Sequence, residues 1–491
     1  MLTLKLHRRA RLARALMVGS TVALLGAVSC DSNGLLSAPD PDLIAPSDLD
    51  TPEGANALRI GALQRWRFAT GGDNTNGQES TWMTGGLLAD EWSTSSTFVQ
   101  NDELDERRIK LDNATVTFDF RKLGRVRTAV NQALPVMYKW RPTETTAIAE
   151  LYLARGNAEM QLASDFCNGI PLSDASKATS PDDVNWGQPL TVAQVFTTAI
   201  STLDSGLALA TATNDSTVKV ARALKITEAR ALLGLGGAAN VAKALTLVAG
   251  IPTDSSYTHT YAASSGSNAI WGQARSGRRY NVGDNIEGNA HDIVVLNNLN
   301  FFSAKDPRVP AGYTVTNGKD TTKSQDGLTF SRTTTLWAQE SPVQVTSGID
   351  ARLIEAEVAF LQGNFNAATT GTLAILNALR SAPHVVGGSL TVPAFTTALT
   401  DPGTDSARVA LLFREKAFWT FGRGERLGDL RRLARQDPYK TWYNVGNLFP
   451  KEAPGGQHYR GGVYGTDVNL PVPKDEENNN PNFHGCLDRN P

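Results

Sequence analysis

Little of what catalytic centres are usually built from is present in this chain. Its 491 residues include three cysteines and six histidines, and the histidines (His7, His259, His291, His384, His458, His484) are scattered. There is no His-Glu-x-x-His and no Cys-x-x-Cys, which removes the common zinc and dithiol signatures. A Gly-x-Ser-x-Gly elbow and a Walker A sequence are also missing. Gly234-Leu-Gly236-Gly237 lacks the spacing of a dinucleotide fingerprint, and Asp73-Asn-Thr-Asn-Gly77 does not set oxygen ligands at the alternating positions of a calcium loop. Asp90-Glu91 and Asp102-Glu103 could supply a carboxylate pair for glycoside hydrolysis, but acidic pairs on loops are mostly solvated. The expectation is a protein that is not an enzyme, with no cofactor and no metal.

Acidic residues are missing from the first thirty positions, where Lys5, Arg8, Arg9, Arg11 and Arg14 precede the charge-free run Ala15–Ser29. That run suits a secretory h-region, because a spanning helix needs roughly 20 apolar residues. Leu25-Gly-Ala-Val-Ser-Cys30 resembles a bacterial lipobox, so residues 1–29 are expected to be cleaved and Cys30 acylated, giving a lipid anchor without a transmembrane helix. An ordinary signal peptide with an incidental Cys30 is the alternative. Losing the leader's five cations leaves 42 basic and 49 acidic residues, a net charge of −7, which argues against nucleic acid as a partner. Only Cys167 and Cys486 then remain. In an oxidising compartment an even pair favours a disulfide, two free thiols being the alternative.

Residues 30–50, rich in Pro, Asp and Ser, read as a flexible tether. Beyond it the pattern is helical. Thr51-Pro52-Glu53 looks like a helix start, with the helix running to about Thr70. Apolar residues at spacings of three and four predict helices over Arg121–Trp140, Thr143–Phe166, Thr191–Leu209, Val218–Leu233, Ala238–Val248, Ile349–Gln362, Asn364–Arg380, Arg408–Phe421 and Arg426–Arg435. Ile226–Leu247 and Arg352–Leu379 each carry small residues on either side of a glycine break, the logic of tetratricopeptide-type helical hairpins. The fold class expected is all-α dominated, residues 51–491 forming one body.

Two long polar stretches, 71–120 and 251–345, interrupt the helices. Both exceed plain connections, and long insertions on a rigid scaffold commonly carry binding function. They hold flat aromatic faces and planar polar groups, the types that meet sugar C–H surfaces and hydroxyls. The candidate ligand contacts are Trp92 first, then Trp82, Asn101, Trp271, Arg279, Tyr280 and Trp337, with Tyr257, Tyr261 and Tyr313 of the same kind.

Several motifs, in order, resemble the RagB/SusD family of outer-membrane nutrient-binding lipoproteins. They are Gly169-Ile-Pro-Leu172 after a helix end, Asp306-Pro-Arg308, Leu376-Asn-Ala-Leu-Arg380, and Phe413–Leu433 (FREKAFWTFGRGERLGDLRRL). Leu470-Pro-Val-Pro473 with Glu476 and Asn480-Pro481 closes the series. Ala417-Phe418, where the family's helical motif has its second glutamate, and the asparagines 478–480 depart from the pattern and mark a divergent branch. The arginine motif reads as a helix-to-helix tie, since Arg426 and Asp429 share one face.

The resemblance implies a SusD-like fold, an outer-membrane location, and delivery of an oligosaccharide or other oligomeric nutrient to a SusC-like TonB-dependent transporter. A helical-repeat scaffold that bridges envelope proteins without a small ligand is the alternative.

Overall fold

The computed structural model describes residues 49–73, 80–264, 266–288, 292–316, 318 and 320–491. The leader, Cys30, the tether up to residue 48 and Asn74–Gly77 of the calcium-like loop lie outside the described residues. From Pro52 to Pro491 the chain forms one compact unit. Among the described residues, no helix is long and apolar enough to cross a membrane.

Helices α1 (Pro52–Ala69), α2 (Thr81–Ala89), α3 (Val99–Asp105), α4 (Ala114–Trp140), α5 (Thr145–Asp165), α6 (Val192–Leu209), α7 (Asp215–Leu235), α8 (Ala238–Val248), α9 (Gly348–Leu361), α10 (Thr372–Arg380), α11 (Asp405–Trp419) and α12 (Arg426–Arg435) dominate the chain. Neighbours stack in series: α1 on α4, then α4, α5, α6, α7, α8, α9 and α10, each against the next. The chain sets these boundaries locally. Thr191 and Gln194 form a reciprocal capping box for α6, as do Ser347 and Asp350 for α9, each satisfying two otherwise orphaned backbone donors.

The hairpin pattern is met in part, since Ala229 of α7 and Ala244 of α8 are buried in one cluster while Ala239 and Ala242 are exposed. Gly234 of α7 lies against the Phe196 ring of α6, where a Cβ would come within 2.5 Å of ring carbons. The α7–α8 turn needs two left-handed residues, and Gly236 (φ 78°) and Gly237 (φ 90°) supply them.

Two expectations are corrected. The stretch 71–120 is not simply an insertion, because α2, α3 and the first two turns of α4 lie in it. In α2 all nine residues are buried, so no polar face marks the helical period. The helix expected over Asn364–Arg380 begins only at Thr372. Gly363 (φ 76°) breaks the chain after α9, and residues 364–371 turn back before Gly371 caps α10.

A disulfide joins Cys167 to Cys486 across 319 positions. Beside it the tail pairs with the end of α5, through bridges Phe166–Leu470 and Asn168–Asp488.

Candidate functional site

The two insertions meet in a short antiparallel sheet, Trp92–Thr94 against Tyr280–Val282, with Trp92 opposite Val282 and Thr94 opposite Tyr280. Most of the aromatic residues expected to touch ligand are inside this junction. Trp92, Trp82 and Trp337 are each 1% exposed, and Tyr280 and Asn101 are fully buried. None of these faces is available for stacking from solvent, which corrects the expectation for all five.

Their destination explains the burial. Three of the indoles converge on the turn between α11 and α12. A Cβ on Gly422 would lie 2.9 Å from Trp337 Cη2 and 3.3 Å from Trp92 Cζ2, and one on Gly424 would collide with the Trp82 ring. Both glycines hold positive φ, 69° and 70°. Trp92 also packs on Phe421, with centroids 4.9 Å apart, while Trp337 Nε1 donates to Gly387 O at 2.9 Å.

The arginine motif on that turn works as an internal clamp. Arg423 reaches both oxygens of Asp350 (2.9 and 2.7 Å), and Arg426 reaches both of Asp90 (2.9 and 3.2 Å). Arg432 holds Glu357 at 2.7 and 3.0 Å and Asp429 at 2.8 Å. Arg308, from the Asp-Pro-Arg motif, bridges Asp306 and Glu415. Beside the clamp, Glu91 accepts the Gly422 N–H at 2.7 Å, yet burial still pushes its carboxyl up to about 8. The helix-tying role expected of the motif is the one its contacts describe.

Arg279 and Trp271 of the expected set stay half-buried. Arg279 stacks on Phe98 at 4.1 Å from the ring centroid, and Phe98 is 45% exposed. Phe98 lies outside the expected set. Its signal is an apolar Phe98-Val99 directly after the polar run Ser93–Thr97, a pair that no core pattern requires.

From here an exposed strip runs along the second insertion. Gln325 N donates to Arg278 O and Asp326 N to Ser95 O, both at 3.1 Å, fixing the 324–330 turn against the Phe98 loop. Past the turn, Lys323 Nζ lies 4.0 Å from the Phe330 centroid. Tyr313, 46% exposed, packs its ring against Phe302 and Phe330 at 4.9 and 6.4 Å. Val315 and Leu328, two positions along the chain from Tyr313 and Phe330, are exposed as well.

Arg460 closes the strip's inner edge, bonded to Ser96 O at 2.9 Å and paired with Asp326 at 3.1 Å and Asp102 at 3.5 Å. Burial would lower the Arg460 guanidinium, but Tyr459, Asp102 and Asp326 raise it overall. What remains outward is chemically mixed, with the aromatic faces of Tyr313 and Phe98, the cations Arg279 and Lys323, and turn backbone. Flat rings with nearby donors suit a hydroxyl-rich, partly apolar ligand.

A separate cleft of about 610 Å³ opens among α8, α9 and α10, lined by Leu245, Arg352, Glu355, Ile375 and His384 among others. It belongs to the helical hairpins, and no expected contact lies in it.

No sequence-family model matches this chain, and no curated protein matches it by sequence. Solved structures do. A SusD superfamily protein from Bacteroides vulgatus superposes with a TM-score of 0.57 at 13% identity, covering 89% of this chain and 98% of that one. The fold is SusD-like. A SusD-like carbohydrate binding protein from the same organism gives a TM-score of 0.55 at 14% identity, covering 88% and 97% of the two chains. Surface glycan-binding protein A from Bacteroides uniformis gives 0.57 at 13%, covering 88% and 99%. The SusD-like architecture thus covers nearly nine-tenths of the chain.

Proposed function

We propose that this protein is a non-catalytic surface lipoprotein of the RagB/SusD kind. Anchored through Cys30 in the outer membrane, it binds an oligosaccharide on the strip from Phe98 and Arg279 to Tyr313, and passes it to a SusC-like TonB-dependent transporter. The observation that carries the binding step is the exposed Tyr313 ring, seated on Phe302 and Phe330 with Lys323 beside it. Two solved structures of the same fold, named for carbohydrate or glycan binding, support a glycan as the ligand class. The strip stands in for the tryptophans, whose faces are spent on the interior.

Calorimetric titration with a panel of neutral oligosaccharides tests binding, and the shift in unfolding separates it from a scaffold role. A ligand at 100 times its dissociation constant stabilises by about 2.7 kcal/mol. A scaffold shows no shift with any member of the panel. Transfer is tested apart from binding, by asking whether a large β-barrel protein co-purifies in detergent from the native envelope.

A further inference from the structure

The end of the helical stack that joins the tether carries an aromatic surface of its own. All nine tryptophans fall within the described residues, and Trp140 is the most exposed of them, at 39%. Tyr138, at 44%, is one of two strongly exposed tyrosines, Tyr313 being the other. Both sit in the last turn of α4, where Lys139 lies 5.0 Å from the Trp140 ring centroid. Pro142 and Thr143, in the turn to α5, are exposed as well.

This is also where the chain arrives from its leader. Arg141 Nε donates to Pro52 O at 2.6 Å, and Arg141 Nη1 holds Glu144 at 2.6 Å. The start of α1, the end of α4 and the start of α5 are therefore fixed at one end of the bundle. Residues 31–51 separate Pro52 from Cys30, so a lipid on Cys30 would hold this end of the body within at most about 75 Å of the bilayer.

We propose that this end of the bundle rests on a lipid bilayer, with Trp140 and Tyr138 in the headgroup layer. The inference rests on acylation of Cys30 under the proposed function. Amphipathic rings prefer that layer, where the apolar face meets acyl chain and the polar edge meets water. Tyr138 and Trp140 are two positions apart and so lie on different sides of the helix. They reach one plane because the helix meets it end-on. The charges nearby are balanced, Lys139 and Arg141 against Glu53 and Glu144, so zwitterionic headgroups suffice. A contact too weak to hold alone becomes populated because the anchor makes it intramolecular.

The test uses the full lipidated protein in phosphatidylcholine vesicles whose acyl chains are brominated near the headgroup, comparing wild type with Trp140→Phe. Matching melting curves establish that the variant is folded. Bromine should quench part of the wild-type tryptophan emission, and Trp140→Phe should lose most of that quenching. Equal quenching in both proteins would overturn the proposal, because another surface then meets the lipid. Absence of quenching in both, with acyl mass confirmed on Cys30, would overturn it too, because the body then stands clear of the bilayer. Absence of acyl mass on Cys30 is a different failure, read by mass spectrometry alone, and it removes the anchoring along with the contact.

Discussion

Arg426 grips Asp90 through both carboxylate oxygens, at 2.9 and 3.2 Å, across 336 positions of sequence. Asp90 caps α2 in a left-handed conformation (φ 93°), so the pair ties the end of a buried helix to the first turn of α12. Removing one partner strands a buried charge, which typically costs about 3–5 kcal/mol. Asp90→Ala and Arg426→Ala should each lower the denaturation midpoint by that order. The double variant should fall well short of the sum, because neither charge is then left alone. Urea unfolding of the three proteins measures this.

Trp92→Ala should behave as a core deletion. Loss of a buried tryptophan costs about 3–5 kcal/mol, and the effect should appear in melting with no selective loss of oligosaccharide affinity among molecules that remain folded. A variant with unchanged melting and weakened binding would return Trp92 to the ligand site.

Tyr313→Ala should do the opposite. Its ring is half solvent-facing, and losing one good aromatic stack costs about 0.5–1.5 kcal/mol, or roughly threefold to tenfold in affinity. Melting should stay close to wild type. Phe98→Ala should act in the same direction, and Arg279→Ala should report on the cation that covers it. Calorimetric titration with the best oligosaccharide of the panel decides.

Stability should fall as pH rises from acid toward neutral. Burial raises the Glu91 carboxyl from an ordinary 4.5 to about 8, and those of Asp165 and Glu287 to about 7. A carboxyl with a raised pKa in the folded state binds more protons folded than unfolded between its two pKa values. Its contribution is thus complete below the unfolded pKa and is lost as pH climbs through the folded one. The decline should run from about pH 4, where Asp165 begins to titrate in the unfolded chain, to about pH 8, and Glu91→Gln should flatten its upper part. Melting temperatures across that range give the test.

Replacing Cys167 and Cys486 together by serine should lower stability by up to about 6 kcal/mol, the chain-entropy limit for so long a closed loop. The midpoint of the double variant should match that of the reduced wild type. A wild type indifferent to reductant would show that the tail is held by Phe166–Leu470 and its neighbours alone.

Most of the helical stack was legible because amphipathic helices announce themselves: α6, α8 and α12 begin and end within one residue of where their apolar spacing places them. Burial on every side hides that signal, which is why no apolar periodicity marks α2. The candidate site was less legible, for a related reason. An indole in a polar loop looks like a ligand contact in either case, and nothing near Trp82, Trp92 or Trp337 in sequence reveals that Gly422 and Gly424 wait for them on a distant turn. Arg279 was readable as a planar donor, but its partner Phe98 carried only the weak signal of an apolar pair where none is needed.

The three indoles around the Gly422–Gly424 turn also determine what the protein's own fluorescence reports. Trp66 and Trp419 are buried at 1% as well, so much of the ultraviolet signal arises in the interior. An oligosaccharide on the proposed Phe98–Tyr313 strip would meet tyrosine and phenylalanine, and should leave the tryptophan spectrum almost unchanged. Opening of the α11–α12 turn would redden it at once. Intrinsic emission is therefore a gauge of whether the clamp is closed, and a poor detector of cargo.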